Sequence, residues 1–170
     1  MRSARWVAFV LVVLAAPLGA QGHVWAGGAI TIPVGDSENS LKQGWLADFG
    51  WARPLAKNDK ISLHLGGLYG ANEGKTGAGL DLLAASVGLS YSFSYRGIEP
   101  YALTHLGVMR MSGETRSENE PLVQMGGGIS KKLNENASVW VEARYLTTTG
   151  NTRLSLIPLT AGLSFSVGGQ

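Results

Sequence analysis

The chain has 170 residues, among them 24 glycines and no cysteine, and its formal net charge is +2. The lack of cysteine excludes disulfides, thiolate metal sites and cysteine nucleophiles, and a hydrophobic share of 45% with so small a net charge argues against disorder. Only 15% of the residues are charged, which is well below the ~25% usual for soluble domains.

Residues 1–20 have the composition of a secretory signal peptide. Arg2 and Arg5 supply a basic start, residues 6–16 are apolar without a break, and the stretch ends on the small residue Ala20. This order of basic, apolar and small residues is typical of an export signal, and the apolar run is shorter than the ~20 residues that a transmembrane helix needs. We therefore expect cleavage after Ala20.

The remaining region, residues 21–170, is predicted to be one domain without net charge. Arg2 and Arg5 are two of the 14 basic residues, so their removal leaves 12 Lys and Arg against 12 Asp and Glu. The sequence pI of about 9.0 comes from the signal peptide, and no basic patch or aromatic RNA-binding motif is left. We expect no nucleic-acid partner.

Eight β-strands are predicted in this region, because apolar residues alternate with polar or small ones in stretches of about ten residues. In chain order the predicted strands are residues 24–34, 44–52, 60–70, 83–93, 100–111, 122–131, 137–147 and 157–167. Polar connections at 35–43, 71–79, 112–121 and 148–153 alternate with mostly shorter ones at 54–59, 95–99 and 132–136. This order predicts four antiparallel hairpins.

The less apolar face of these strands consists mainly of Gly, Ser, Ala and Thr. A soluble barrel would carry many Lys, Glu and Arg on its surface, whereas a transmembrane barrel turns large apolar residues to lipid and small or polar ones to the lumen. Barrel closure also pairs every backbone group, as lipid requires. The sequence predicts an all-β fold, a closed eight-stranded antiparallel up-and-down transmembrane β-barrel, with lipid-facing residues Leu83, Val87, Leu89, Leu159 and Leu163.

Aromatic residues lie near the predicted strand ends, where a transmembrane barrel has its interface girdles. The girdle residues are predicted to be Trp51, Phe93 and Phe165 toward one rim and Trp45, Tyr69 and Tyr145 toward the other.

Ionisable residues on the small-residue face are predicted to form a polar network in the lumen. Glu142 and Arg144 are two positions apart on one strand and share a face, and Asp48 and His64 have the same parity on their own strands. A charge inside a narrow lumen has to be paired or hydrated. We expect the network to fill and stiffen the lumen, with a gate or a small-solute path as the functional alternative.

The fifth predicted strand permits two phases. Aligning His105-Leu106-Gly107 with the same three residue types at 64–66 places His105 in the lumen, with Leu106 and Val108 toward lipid. The opposite phase would put an ionisable imidazole in lipid, where it is costly. We therefore place His105 with the lumen network.

Several short segments resemble the outer-membrane protein beta-barrel domain family, the small eight-stranded OmpA/OmpX-type transmembrane barrels. They are residues 27–36 (GGAITIPVGD), 44–45 (GW), 99–101 (EPY) and 141–145 (VEARY). The resemblance extends over about residues 24–167. It implies a bacterial outer-membrane location and, during biogenesis, contact with periplasmic chaperones and the barrel assembly machinery.

The function predicted from these features is that of a non-enzymatic, monomeric outer-membrane barrel of a Gram-negative cell envelope. It would contact outer-membrane lipid and lipopolysaccharide, with a structural or surface-interaction role, a lumen filled by side chains and at most a restricted, porin-like path for small solutes. Polar segments at 36–40 and 113–120 are candidates for recognition at the cell surface.

No catalytic residue, cofactor or metal site is predicted. The serines lie outside any G-x-S-x-G motif, and the three histidines lack H-E-x-x-H spacing. Two alternatives stay open. One is a secreted soluble β-barrel whose apolar face lines a cavity for a lipid or another apolar ligand, and the other is a barrel enzyme that modifies lipid A with Ser and His.

Overall fold

A computed structural model of the chain describes residues 22–55, 60–114 and 116–168. The predicted signal peptide lies outside these residues and stays a prediction. The elements in chain order are β1 (Gly22–Pro33), α1 (Asp36–Ser40), β2 (Leu41–Pro54), β3 (Ile61–Gly74), β4 (Leu80–Ser92), β5 (Glu99–Ser112), β6 (Ser117–Lys132), β7 (Ala137–Thr148) and β8 (Ser155–Val167). Among the described residues, no helix has the length and apolar character needed to cross a membrane.

The strands form a closed barrel in which each strand pairs with its neighbours in sequence. All the pairings are antiparallel, and β1 completes the circle by pairing with β8 along its whole length, from Gly22↔Val167 to Pro33↔Leu156. The predicted fold class, a closed eight-stranded antiparallel up-and-down barrel, is confirmed.

The barrel has two rims of different character. We call the rim where β1 begins and β8 ends the terminal rim, and β2, β4 and β6 also end there. The opposite rim, where β1, β3, β5 and β7 end, is the loop rim, and it carries the connections at 34–40, 75–79 and 149–154. The connection at 149–154 is anchored by a side chain of β6, because Glu120 accepts hydrogen bonds from the backbone N–H groups of Asn151 (3.1 Å) and Thr152 (3.2 Å).

The strands extend further toward the loop rim than the alternation predicts. Residues 117–120 were expected in a long polar loop but continue the β5–β6 ladder as far as Ser112↔Ser117, and residues 71–74 likewise remain in β3. The predicted long loops are wrong in these stretches, because backbone pairing continues where polar side chains have replaced the alternating pattern. Segment 36–40 forms the short helix α1.

Large apolar side chains cover the outside of the barrel. Leu106 and Val108, for example, are 59% and 55% exposed. The predicted strand-five phase matches this arrangement, since His105, which directly precedes Leu106, is buried. A soluble barrel with an apolar ligand cavity requires the reverse orientation, with this face turned inward.

The half of the lumen next to the loop rim is filled by a cluster of buried apolar side chains, which we call the apolar plug. It consists of Ala29, Leu46, Leu68, Leu82, Ala84, Met109, Met111, Leu122, Leu146, Leu154 and Leu156. The prediction of small and polar lumen residues is therefore wrong for this half of the barrel. In this region both faces of the strands are apolar, so the period-two contrast that reveals a lumen face is lost.

Glycines on the lumen side make room for the large residues of the other half. The Trp140 ring lies over Gly27 and Gly162, where an added Cβ would come within 2.8 Å and 2.5 Å of the indole. The Trp25 ring covers Gly50 in the same way, at 2.4 Å. Close packing inside the barrel therefore explains many of the glycines in the composition.

Candidate functional site

Arg144 is the centre of a buried ion cluster in the lumen. Its guanidinium pairs with Asp48 of β2 and with Glu142 of its own strand, and Nη1 donates to Gln124 Oε1 at 3.0 Å. All three charged side chains are almost fully buried. Glu142 and Arg144 are two positions apart on β7, so their side chains point to the same side. Closure of the barrel brings Asp48 of β2 to them across the lumen.

Each carboxylate of the cluster has a second partner on another strand. Tyr101 Oη donates to Glu142 Oε2 at 2.9 Å, and Trp25 Nε1 donates to Asp48 Oδ1 at 3.4 Å. The two negative charges are thus opposed by one guanidinium and by two aromatic donors, an arrangement that offsets much of the cost of burying them.

Two histidines form a second group beside the ion cluster. The rings of His64 and His105 have centroids 5.4 Å apart. His64 Nε2 lies 2.8 Å from Ser90 Oγ, and His105 Nδ1 lies 3.2 Å from Ser86 Oγ. The Trp25 ring is 5.2 Å from the His64 ring, so Trp25 touches both the histidine pair and the ion cluster.

These two groups line a cavity of about 590 Å³ that reaches residues of the terminal rim. Its wall includes Asp48, Glu142 and Arg144 together with both histidines, and toward the rim it includes Lys60, Glu99 and Lys132. We call it the terminal cavity. Beyond the ion cluster the lumen is filled by the apolar plug, so the terminal cavity is a pocket with one closed end.

Some polar atoms of this wall are buried without a hydrogen-bond partner. His105 Nε2 and Trp140 Nε1 both belong to residues that line the terminal cavity, and neither atom is partnered. Gln124 Nε2 and Thr160 Oγ1 are also unpartnered inside the barrel. Such atoms are costly to leave unsatisfied. Within the described residues, no group of three or more His, Asp or Glu is placed to hold a metal ion.

Comparison with known proteins identifies the architecture. Neisserial surface protein A is 14% identical, covers 85% of this chain and 96% of its own, and gives a TM-score of 0.67. The N-terminal β-barrel domain of Pseudomonas aeruginosa OprF is 15% identical over 86% of this chain and 99% of its own, with a TM-score of 0.55. The chain has the fold of a small outer-membrane barrel.

A further solved structure with this outer-membrane barrel fold is described as the outer membrane enzyme PagL. It is 21% identical, covers 86% of this chain and 99% of its own, and gives a TM-score of 0.52. No family model and no curated protein sequence matches the chain. The likeness therefore establishes the fold, which proteins of different activities share.

The outer-membrane barrel fold encloses all five residues predicted for the lumen network, but in two groups. Asp48, Glu142 and Arg144 are joined by ion pairs, whereas His64 and His105 pack on each other. Sequence reasoning missed three partners of the ion cluster, Trp25, Tyr101 and Gln124, and the cavity-lining Trp140. All four have lumen parity in the sequence, but alternation alone does not show which lumen residues meet across the barrel.

Four of the five predicted lipid-facing residues are exposed, and the fifth, Leu83, is half-buried but pairs with the exposed, outward Tyr69. Five of the six predicted girdle residues are exposed: Trp45, Tyr69, Phe93, Tyr145 and Phe165. Trp51 differs. It has outward parity, since it pairs with Val24 and Leu65, but it is only 8% exposed. Its indole lies over Gly22, where an added Cβ would be 2.6 Å from Nε1, so the missing side chain of Gly22 lets the ring pack close to the barrel wall.

Proposed function

We propose that the protein is a non-enzymatic, non-conducting barrel of the bacterial outer membrane, with a structural or surface-interaction role. The observation that carries this proposal is the outer surface, where large apolar side chains stand exposed on all eight strands, among them Ile30, Trp45, Leu65, Val87, Leu106, Met125, Val141 and Leu159. Soluble monomers rarely expose contiguous apolar patches larger than a few hundred Å², whereas here exposed apolar side chains surround the whole barrel. In a bilayer the same surface is stable.

The rest of the proposal follows from a membrane location. Residues 1–20 would direct export, and periplasmic chaperones and the barrel assembly machinery would handle the chain during biogenesis. The folded monomer would contact outer-membrane lipid and lipopolysaccharide. Nucleic acid has no part in this function, because the region after residue 20 has no net charge.

The lipid-facing surface can be tested with two adjacent residues of β8. Leu163→Arg is expected to reduce folding into lipid vesicles strongly, because Leu163 is outward and exposed and a charge on the lipid face costs up to about 2–4 kcal/mol near the midplane. Ser164→Arg is the matched control, since Ser164 lines the terminal cavity. The measurement is the fraction of heat-modifiable, protease-resistant barrel after dilution from urea into vesicles.

Equal folding of Leu163→Arg and Ser164→Arg, or a monodisperse wild-type protein without detergent or lipid, would contradict the membrane location. The second outcome would favour the secreted soluble barrel.

A conductance measurement tests the closed lumen. The apolar plug occupies the loop-rim half with side chains that are nearly inaccessible, such as Leu82, Met109 and Leu146, so a hydrated ion finds no open, water-filled path past it. We expect planar bilayers containing the folded protein to remain silent in single-channel recordings. Reproducible conductance steps, present in wild type and absent without protein, would instead support a restricted pore.

The proposal also makes the protein non-enzymatic, although Ser90 and His64 are within hydrogen-bond distance. A serine nucleophile normally needs a third group that orients its base, and within residues 22–55, 60–114 and 116–168 no carboxylate bonds to His64. The pair also lies inside the closed wall, so membrane lipid on the outer surface has no direct access to it. Both observations argue against an enzyme that modifies lipid A.

A further inference from the structure

We infer that the terminal cavity binds a neutral, polyhydroxylated small molecule, in the size range of a sugar with one or two rings. The inference rests on the closed barrel and on the residues of the cavity wall. It does not require a membrane location, so it can fail or succeed independently of the proposed function.

The size and shape of the terminal cavity suit a small ligand. Its volume is about 590 Å³, which lies within the ~300–1,000 Å³ typical of small-molecule pockets. The apolar plug closes the inner end, so a ligand can enter from the terminal rim and become largely enclosed. A through-channel would give no such enclosure.

The charges of the wall favour a neutral ligand. Arg144 is already engaged by Asp48 and Glu142 at the inner end, and near the mouth Lys132 Nζ lies 3.6 Å from Glu99 Oε1. An anionic ligand would have to compete with two carboxylates for the buried guanidinium. A cationic ligand would have to displace the guanidinium from those carboxylates, and breaking a buried pair is costly.

Two side chains of the cavity wall each have a buried polar atom without a hydrogen-bond partner, the kind of atom that a hydroxyl group can satisfy. Trp140 Nε1 is a donor without a partner, and His105 Nε2 is unpartnered on a side chain that is only 3% exposed. A ligand hydroxyl can both donate and accept, so it can bond to either atom. Serine side chains add hydroxyls around the cavity: Ser62, Ser90, Ser92, Ser130, Ser138 and Ser164.

Aromatic rings supply the apolar part of the wall. Trp25, Tyr101 and Trp140 line the terminal cavity, and each combines a flat apolar body with a polar group. Rings of this kind pack against the C–H faces of a sugar while neighbouring donors and acceptors bind its hydroxyls. Serines, aromatics and internally neutralised charges together favour a polyhydroxylated ligand over a fatty acid or a phosphate.

The test is a titration of the folded mature barrel in detergent, followed by calorimetry and by tryptophan fluorescence. The probes are trehalose and glucose as neutral sugars, glucose 6-phosphate as the charged analogue and laurate as the apolar one. We expect saturable binding of at least one neutral sugar with a Kd of about 1 mM or tighter. Glucose 6-phosphate should bind more weakly than glucose, and laurate should not compete.

Two variants localise the binding. Ser164→Phe fills the terminal cavity and should weaken sugar binding about 10-fold or more, whereas Leu163→Phe changes the adjacent outward residue and should leave it unchanged. Trp140→Phe keeps an aromatic ring but removes the pyrrole part of the indole with its unpartnered N–H, and should weaken binding several-fold. Each variant is first checked for heat-modifiable folding, and Trp140→Phe serves as the decisive variant if Ser164→Phe does not fold.

The inference is overturned if neither neutral sugar binds saturably to wild type, if glucose 6-phosphate or laurate binds more tightly than both, or if Ser164→Phe and Trp140→Phe bind like wild type. Failure of these titrations with intact insertion into vesicles would leave the proposed membrane function untouched.

Discussion

Arg144→Met is expected to lower the free energy of unfolding by about 3–5 kcal/mol, because removal of one partner leaves other buried charges uncompensated. Arg144 pairs with two carboxylates, those of Asp48 and Glu142, and all three side chains are nearly inaccessible to solvent. Methionine keeps much of the volume but none of the charge. The measurement is equilibrium unfolding in urea from lipid vesicles, followed by tryptophan fluorescence.

The matched control removes the whole cluster. A triple variant, Asp48→Leu with Glu142→Met and Arg144→Met, should recover most of the lost stability, since apolar replacements of a buried ion cluster are often neutral or stabilising. If Arg144→Met unfolds at the urea concentration of wild type, water in the terminal cavity screens the carboxylates far better than their burial indicates.

Gly162→Val is the second change with a large expected effect, about 3 kcal/mol or a complete loss of folding. An added Cβ at Gly162 would lie 2.4 Å from the backbone oxygen of Ala26 and 2.5 Å from Trp140 Cζ2. The indole is confined by Gly27 on the neighbouring strand, so neither obstacle can move away easily. Folding yield and urea unfolding in vesicles measure the effect.

Gly28→Val is the control for the Gly162 variant. Gly28 follows Gly27 on β1 and pairs with Ala161, the neighbour of Gly162. An added Cβ at Gly28 would have nothing within 4 Å. Its outward position and the strand preference of valine predict a neutral or slightly stabilising change. Equal losses for the two variants would show that strand conformation, and not the space under Trp140, requires glycine at both positions.

The alternation of residue types predicted the strand order and the orientation of the wall, because a period of two assigns each residue to a face. At residues 83–93, for instance, Val87 and Leu89 are exposed while Gly88 between them is buried. The strand ends were not predictable in this way. Residues 117–120 are polar, yet they remain in the ladder since backbone hydrogen bonds do not depend on side-chain polarity.

The site was predictable residue by residue but not as an arrangement. Parity placed Asp48 and Arg144 on the lumen side, but their contact spans the barrel between strands that are not paired with each other. Such a contact depends on the tilt and circumference of the closed sheet, which no local pattern encodes. The apolar plug could not be predicted either. Leu46 and Leu68 lie on strands whose other face is also apolar, so nothing in the alternation assigns them to the lumen.

The pairing of β1 with β8 constrains the order of assembly. Gly22 pairs with Val167, so this seam joins the segments that the ribosome makes near the beginning and at the end of the domain. Until β8 exists, the sheet has two open edges with unpaired N–H and C=O groups, and a bilayer does not tolerate such edges. Insertion therefore has to follow synthesis of β8, and a fragment without β8 is a substrate for proteolysis or aggregation instead of a shorter barrel.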